Sequence, residues 1–156
     1  MSHSPKKTLL LVYHSQSGAS AQLASAVWRG AQRETEVETR MLRAVDASTR
    51  DLANCQGLVF VGAENSGTLA GGLKDFLDRS LYPAIDRALV LPAAVVISAG
   101  NDGRGAAAQI SRILKGYPFP LVQEPLILRG EPDGDSFEQC KALGEAIATG
   151  LAMGMF

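Results

Sequence analysis

Ser15, Ser17 and Ser20, set around Gly18 in His14-Ser15-Gln16-Ser17-Gly18-Ala19-Ser20, are the residues of this chain whose types and spacing best suit chemistry. An apolar run, Leu9 to Tyr13, leads into them, and an amphipathic helical pattern follows from about Ala21 to Arg33. Strand, polar loop and helix N-terminus in immediate succession make a favourable place for a phosphate. The first N–H groups of a helix lack intrahelical partners, and the macrodipole puts partial positive charge there. Three hydroxyls add donors, and Gly18 lets the backbone curl close to an anion. Two better-known phosphate loops are excluded. No lysine lies between Lys7 and Lys74, so G-x-x-x-x-G-K-[ST] is missing, and a single glycine cannot supply G-x-G-x-x-G. What remains is a cationless site of hydroxyls and backbone N–H groups. The competing reading is a turn capped by Ser20, with no ligand at all.

Two further polar, glycine-bearing loops follow runs of buried-strand type. Residues 63–71 follow Gly57-Leu58-Val59-Phe60-Val61-Gly62, and residues 99–105 follow Pro92-Ala93-Ala94-Val95-Val96-Ile97-Ser98. A capped turn explains the first loop but not the coincidence of three. No side chain stands out as a catalytic acid or base. Ser15 and Ser17 lack a G-x-S-x-G elbow, and His14 has no triad context.

The elements that must position these loops alternate along the chain. Val37 to Leu42 reads as a strand near a sheet edge, and Leu121 to Leu128, interrupted by Pro125, as an edge strand. Helical patterns run from Gly72 to Asp86, from about Gly105 to Gly116, and from Ser136 to about Leu151. Five strands alternating with helices predict an α/β fold of three layers, a parallel sheet covered on both faces. Ligands of such sheets bind outside the carboxyl ends of the strands, where strand order reverses. Residues 1–7 read as a disordered tail and residues 8–156 as a single domain. The apolar end Met153-Gly154-Met155-Phe156 suits either packing back on that domain or a homodimer contact.

Composition narrows the classes. The chain has 156 residues, 46% hydrophobic and 20% charged, with a net charge of −1. That balance gives no electrostatic case for nucleic acid or an anionic membrane. No stretch is apolar for the eighteen or so residues of a membrane span. Cys55 and Cys140, far apart and in no C-x-x-C, read as reduced thiols of a cytoplasmic protein.

Ser15-x-Ser17-Gly18-x-Ser20 resembles the [TS]-x-[TS]-G-x-[TS] phosphate loop of the flavodoxin superfamily. The likeness spans essentially the whole chain: LLLVYHSQSGASAQLASAVWRGA, GLVFVGAENSGTLAGGLKDFLDR and AAVVISAGNDGRGA look like successive blocks of flavodoxin-like NAD(P)H-dependent FMN oxidoreductases. The resemblance implies a flavodoxin-like sheet of order 2-1-3-4-5. It further implies FMN as cofactor, NAD(P)H as donor, and a quinone or flavin, or a redox partner protein, as the species served. Ser15, Gln16, Ser17, Gly18, Ala19 and Ser20 would then contact phosphate or ribityl oxygens. Glu64, Asn65, Ser66, Gly67 and Thr68 would lie along the ring, with Gly100, Asn101, Asp102 and Gly103 near its pyrimidine edge. The second loop departs from the family's Gly-Thr-Pro-x-x-aromatic-Gly pattern: it is shorter, lacks the proline, and has Ser66 where an aromatic would stack. Losing a stacking partner worth roughly 0.5–1.5 kcal/mol would weaken binding up to about tenfold. That leaves two readings, a weakly held FMN or a domain that has lost flavin. Trp28, Tyr82 and Tyr117 could in principle supply a ring from elsewhere, but each lies on a predicted helix or past its end. The near-neutral charge fits poorly with the strongly acidic electron-shuttle flavodoxins.

Overall fold

The computed structural model describes residues 5–156. Its elements are β1 (Lys7–Tyr13), α1 (Ala19–Ala31), β2 (Val37–Arg43), a 3-10 turn (Ala44–Asp46) and α2 (Thr49–Ala53). They continue with β3 (Gly57–Asn65), β4 (Thr68–Leu69), α3 (Gly71–Asp86), β5 (Ala93–Ala99), α4 (Arg104–Gly116), β6 (Leu126–Arg129) and α5 (Gly134–Ala152). Five parallel strands run in the order β2-β1-β3-β5-β6, which is 2-1-3-4-5 counted along the parallel sheet. The addition is β4, a two-residue antiparallel strand on the end of β3.

Strand alternation explains the three layers. Leu10, Val12, Leu58, Phe60, Val95 and Ile97 point to one face, under α3 and α4 with Leu73, Phe76, Ile110 and Leu114. Leu9, Leu11, Val59, Val61, Ala94 and Val96 point to the other, under α1 and α5 with Leu23, Val27, Leu143 and Ile147. A period of two along a strand buried on both faces requires this division. Helices α1 and α5 cross at backbone distance. A Cβ on Gly30 would strike the Lys141 carbonyl, and one on Gly144 the Val27 carbonyl.

Several expected boundaries shift. Strand β1 begins at Lys7, inside the tail expected over 1–7, and residues 1–4 of that tail lie outside the described residues. Helix α1 starts two residues early, at Ala19. The last strand shrinks to Leu126–Arg129, because Pro125 has no N–H to give to a ladder; Leu121 keeps only an isolated bridge to Ala93. The stretch 63–71 is no open loop. Strand β3 runs on to Asn65 and turns at Ser66 (φ 51°) and Gly67 (φ 77°) into β4. Positive φ at both central residues is the two-residue turn that matches strand twist.

Cys55 and Cys140 lie in opposite layers, too far apart in the fold to pair, and burial pushes both thiols up to about 12. At the C-terminus the Met155 N–H donates to the Gly150 carbonyl, and the Phe156 ring lies against Gly150. The tail therefore packs back on α5, with Met153 and Met155 exposed. Among the described residues no helix is long and apolar enough to cross a membrane.

Candidate functional site

The site forms where β1, β3 and β5 end at the carboxyl edge of the sheet. Chain order forces this: strands 1 and 3 are neighbours whose following helices lie on opposite faces, so a crevice opens between them. A cavity of about 130 Å³ there is lined by His14, Ser15, Gln16, Ser17, Ala19 and Ser20, with Ala63, Asn65, Ala70 and Ser98 opposite. It adjoins a wider cleft of about 350 Å³ that shares Ser17, Ala19, Ala63, Asn65 and Ser98. The wider cleft extends to Glu64, Ala99, Gly100 and a fourth loop, Gly130-Glu131-Pro132.

The smaller cavity is a donor cradle. Gly18 takes a left-handed conformation (φ 102°) and serves as the N-cap of α1, with no side-chain cap. Its carbonyl accepts from the Gln22 N–H, and its own N–H donates to Ser15 Oγ at 3.1 Å. Ser15 therefore shapes the loop by holding a turn. Among the described residues the N–H groups of Ser15, Gln16, Ser17, Ala19, Ser20 and Ala21 have no acceptor in the protein. The hydroxyls of Ser17, Ser20 and Ser98 are likewise unpartnered there, and Ser20 and Ser98 are buried. These N–H groups and hydroxyls open onto one cavity, an arrangement that suits an anionic acceptor. Ser20 does not cap α1: the helix begins before it and leaves its hydroxyl facing the cavity. His14 packs its ring on Gly72 at the start of α3, and Asn65 Nδ2 donates to Gln16 Oε1 at 3.1 Å across the cavity mouth.

The second and third loops are arranged differently. The β3–β4 hairpin lies on the first turn of α4. Glu64 Oε1 accepts from the Gly103 N–H at 2.9 Å and Oε2 from the Ala106 N–H at 3.1 Å. Gln109 Oε1 accepts from the Leu69 N–H at 2.7 Å, and Gly105, lacking a Cβ, lets the Gly67 carbonyl approach. Glu64 therefore caps α4 from another element, and its carboxylate is committed away from any ring. Gly103 (φ 93°) is buried, and a Cβ on it would meet Ile127 at 2.5 Å. Ser66, Gly67 and Thr68 form the hairpin tip, outside both cavities, with Thr68 Oγ1 donating to the Asn65 carbonyl. Asn101, Asp102 and Gly103 also lie outside the cavities, leaving Gly100 as the third loop's contribution. Asp102 accepts from the Arg104 guanidinium at 2.7 Å, and that bond holds its carboxyl below the usual range. Its carbonyl accepts from Arg129 Nε at 2.8 Å.

Among the described residues no Phe, Tyr or Trp side chain lines either cavity. Tyr117 is fully buried, donating its hydroxyl to the Leu77 carbonyl at 2.6 Å. Tyr82 is exposed on α3, and Trp28 packs against the α1–α5 layer. Sequence reasoning missed Ser98 and the Gly130–Pro132 loop. Ser98 ends a strand that looks purely structural, whereas Gly130-Glu131-Pro132-Asp133-Gly134 carried the same turn signal as the other three loops, after the fifth strand.

No protein-family model matches this chain. Solved structures do. A flavodoxin from the domain Archaea superposes with a TM-score of 0.78 at 19% identity, over 91% of this chain and 96% of its own. The flavodoxin, WrbA-like protein from Agrobacterium tumefaciens gives 0.80 at 16% identity, over 96% and 99%. The rubredoxin oxygen:oxidoreductase of Desulfovibrio gigas gives 0.82 at 13% identity; the match takes 97% of this chain but 37% of that one. The chain has the flavodoxin-like fold.

Proposed function

We propose that this protein binds FMN non-covalently in the cleft, phosphate in the His14–Ser20 cavity, and passes electrons through it as an NAD(P)H-dependent oxidoreductase. A quinone or flavin would be the acceptor. The observation that carries the reading is the set of unpartnered N–H groups and serine hydroxyls around a pocket with no cation, at the N-terminus of α1. Such a cradle suits a phosphomonoester, and the flavodoxin-like neighbours bear the name of a flavin-protein class. The cleft beside it has room for a planar group between Ala63–Asn65, Ala99–Gly100 and Gly130–Pro132.

When bound, FMN supplies hydride and single-electron chemistry, and the chain supplies binding and orientation. Ser17, Ser20 and Ser98 hydroxyls, with the N–H groups of α1's first turn, would hold the phosphate. The Gln16–Asn65 bridge would cover it. Backbone at Ala99 and Gly100 would offer donors to ring carbonyls. With no Phe, Tyr or Trp among the described residues that line the cleft, the ring would be held less firmly than the phosphate, which fits an exchangeable flavin.

Titration of the full chain against FMN fluorescence tests the reading. Quenching at micromolar FMN or tighter, with riboflavin weaker, is expected. Colourless protein that neither quenches FMN nor gains thermal stability from it overturns the proposal. NADPH oxidation with added FMN or quinone then separates an oxidoreductase from a carrier, which shows no turnover without a reductase.

A further inference from the structure

Among the described residues the exposed large hydrophobic side chains are Val45, Tyr82, Ile85, Val90, Met153, Met155 and Phe156. The last five stand at the amino edge of the sheet, opposite the cleft: Ile85 at the end of α3, Val90 just before β5, the others after α5. Two hollows of about 450 and 490 Å³ meet there. They share Val90, which is 61% exposed, and Pro120 as the ridge between them. One hollow reaches Ser111 and Lys115 on α4, the other Lys7 and Phe156. Both lie open to solvent, whereas a small-molecule pocket encloses most of its ligand's surface. Contiguous exposed apolar surface marks a protein contact. The charges of this edge are unspent. Lys6 and Lys7 stand at the start of β1, Glu36 before β2, Asp86 and Arg87 at the end of α3, Lys115 in the last turn of α4 and Glu124 before β6. Among the described residues none of these is ion-paired within the chain, whose ion pairs join other residues.

We propose that the amino edge is the contact surface for a second copy of this chain, in a two-fold symmetric dimer. A two-fold interface must complement itself, so a projection and a hollow that accepts it have to lie on one face. The Val90–Pro120 ridge and the hollows beside it meet that condition. Each copy's ridge enters a hollow of the other, and closing the trough brings Met153 and Met155 into the contact. The rim suits the same partner. Its cations Lys6, Lys7, Arg87 and Lys115 and its anions Glu36, Asp86 and Glu124 are mixed and unpaired, so two identical edges meet with opposite charges available to each other. The clefts then face away from one another, and each copy keeps a whole site. The dimer does not depend on the flavin reading.

The experiment is sedimentation equilibrium of the full chain without flavin, at about 1 to 100 µM, the range in which contacts of ordinary strength assemble. A species of twice the chain's mass is expected. Val90→Glu should weaken it about a hundredfold, because it sets an unpaired charge in a closed apolar contact. Met155→Glu should do the same, and it covers the case in which Val90→Glu does not fold. Val45→Glu, at an equally exposed position beyond the carboxyl end of β2, should leave the dimer intact. The proposal is overturned if the wild type stays monomeric throughout, if it grows into open-ended assemblies, or if the dimer survives the folded trough variant. Decanoate is added to the isotope-labelled wild type as a probe of the other occupant. Amide NMR shifts at Val90 and Leu121 in a monomeric chain would make the trough a groove for an apolar acid, which also overturns the dimer.

Discussion

Helices α1 and α4 both follow a buried strand, both take a left-handed glycine as N-cap, and neither is capped by its own side chains. Their surroundings differ. A Cβ on Gly18 would project into open space, whereas one on Gly103 would run into Ile127. The first turn of α1 faces a cavity with its donors unspent, while that of α4 faces a hairpin that spends them. The same local backbone, strand then glycine then helix, thus leaves an open first turn in one place and makes a structural joint in the other. What separates them is the residue delivered from β3: Ala63 and Asn65 opposite α1, Glu64 opposite α4.

The sharpest way to break this comparison is to add a methyl group at each glycine. Gly103→Ala combines backbone strain with a clash in a packed layer and should cost about 3 kcal/mol. Gly18→Ala meets strain alone, roughly 1–2 kcal/mol. Thermal unfolding of the two variants measures the gap, and equal losses would mean that the two joints are not different in kind. Next in size is Ser17→Ala. A hydrogen bond to a charged group contributes roughly 1.5 kcal/mol or more, so FMN affinity should fall about tenfold with riboflavin unchanged. Equal losses for both ligands would remove the phosphate role from this loop. The smallest effect is expected from Gln109→Ala. Loss of its bond to Leu69 should cost about 1 kcal/mol and speed amide exchange at Leu69, leaving exchange across residues 15–21 unaltered. If residues 15–21 also exchange faster, the two ends of the site are coupled and not separate.

The sheet was legible in the sequence because buried strands advertise themselves, while its order came from the family resemblance. Gly57–Gly62 and Ala93–Ser98 are unbroken apolar runs, and the glycine-bearing loops that follow fall at one edge by topology alone. The β3–β4 hairpin was hidden for a physical reason. Its turn places Ser66 at positive φ, a conformation that serine rarely adopts, so no Asn-Gly or Asp-Gly signal marks it. Glu64 was ambiguous for another: its partners lie 39 and 42 residues away, and a capping carboxylate from a different element leaves no local pattern. Asp102, the nearer acid, accepts from both the backbone N–H and the guanidinium of Arg104, the first residue of α4. Ser98 could not be told from a strand residue, since only the cavity beside it gives its hydroxyl a meaning.

The approach of Gly30 to Lys141 and of Gly144 to Val27 reaches further than packing. It clamps α1 to α5 near the far end of α1, some eleven residues, or about 16 Å, from the turn that faces the cavity. A rod held at that point behaves as a lever with its fulcrum remote from its working tip. A side chain wedged at position 30 or 144 would pry the fulcrum apart and swing the tip, spoiling the aim of the Ala19–Ala21 donors while touching none of them. The aim of the first turn of α1 thus depends partly on two glycines remote from it.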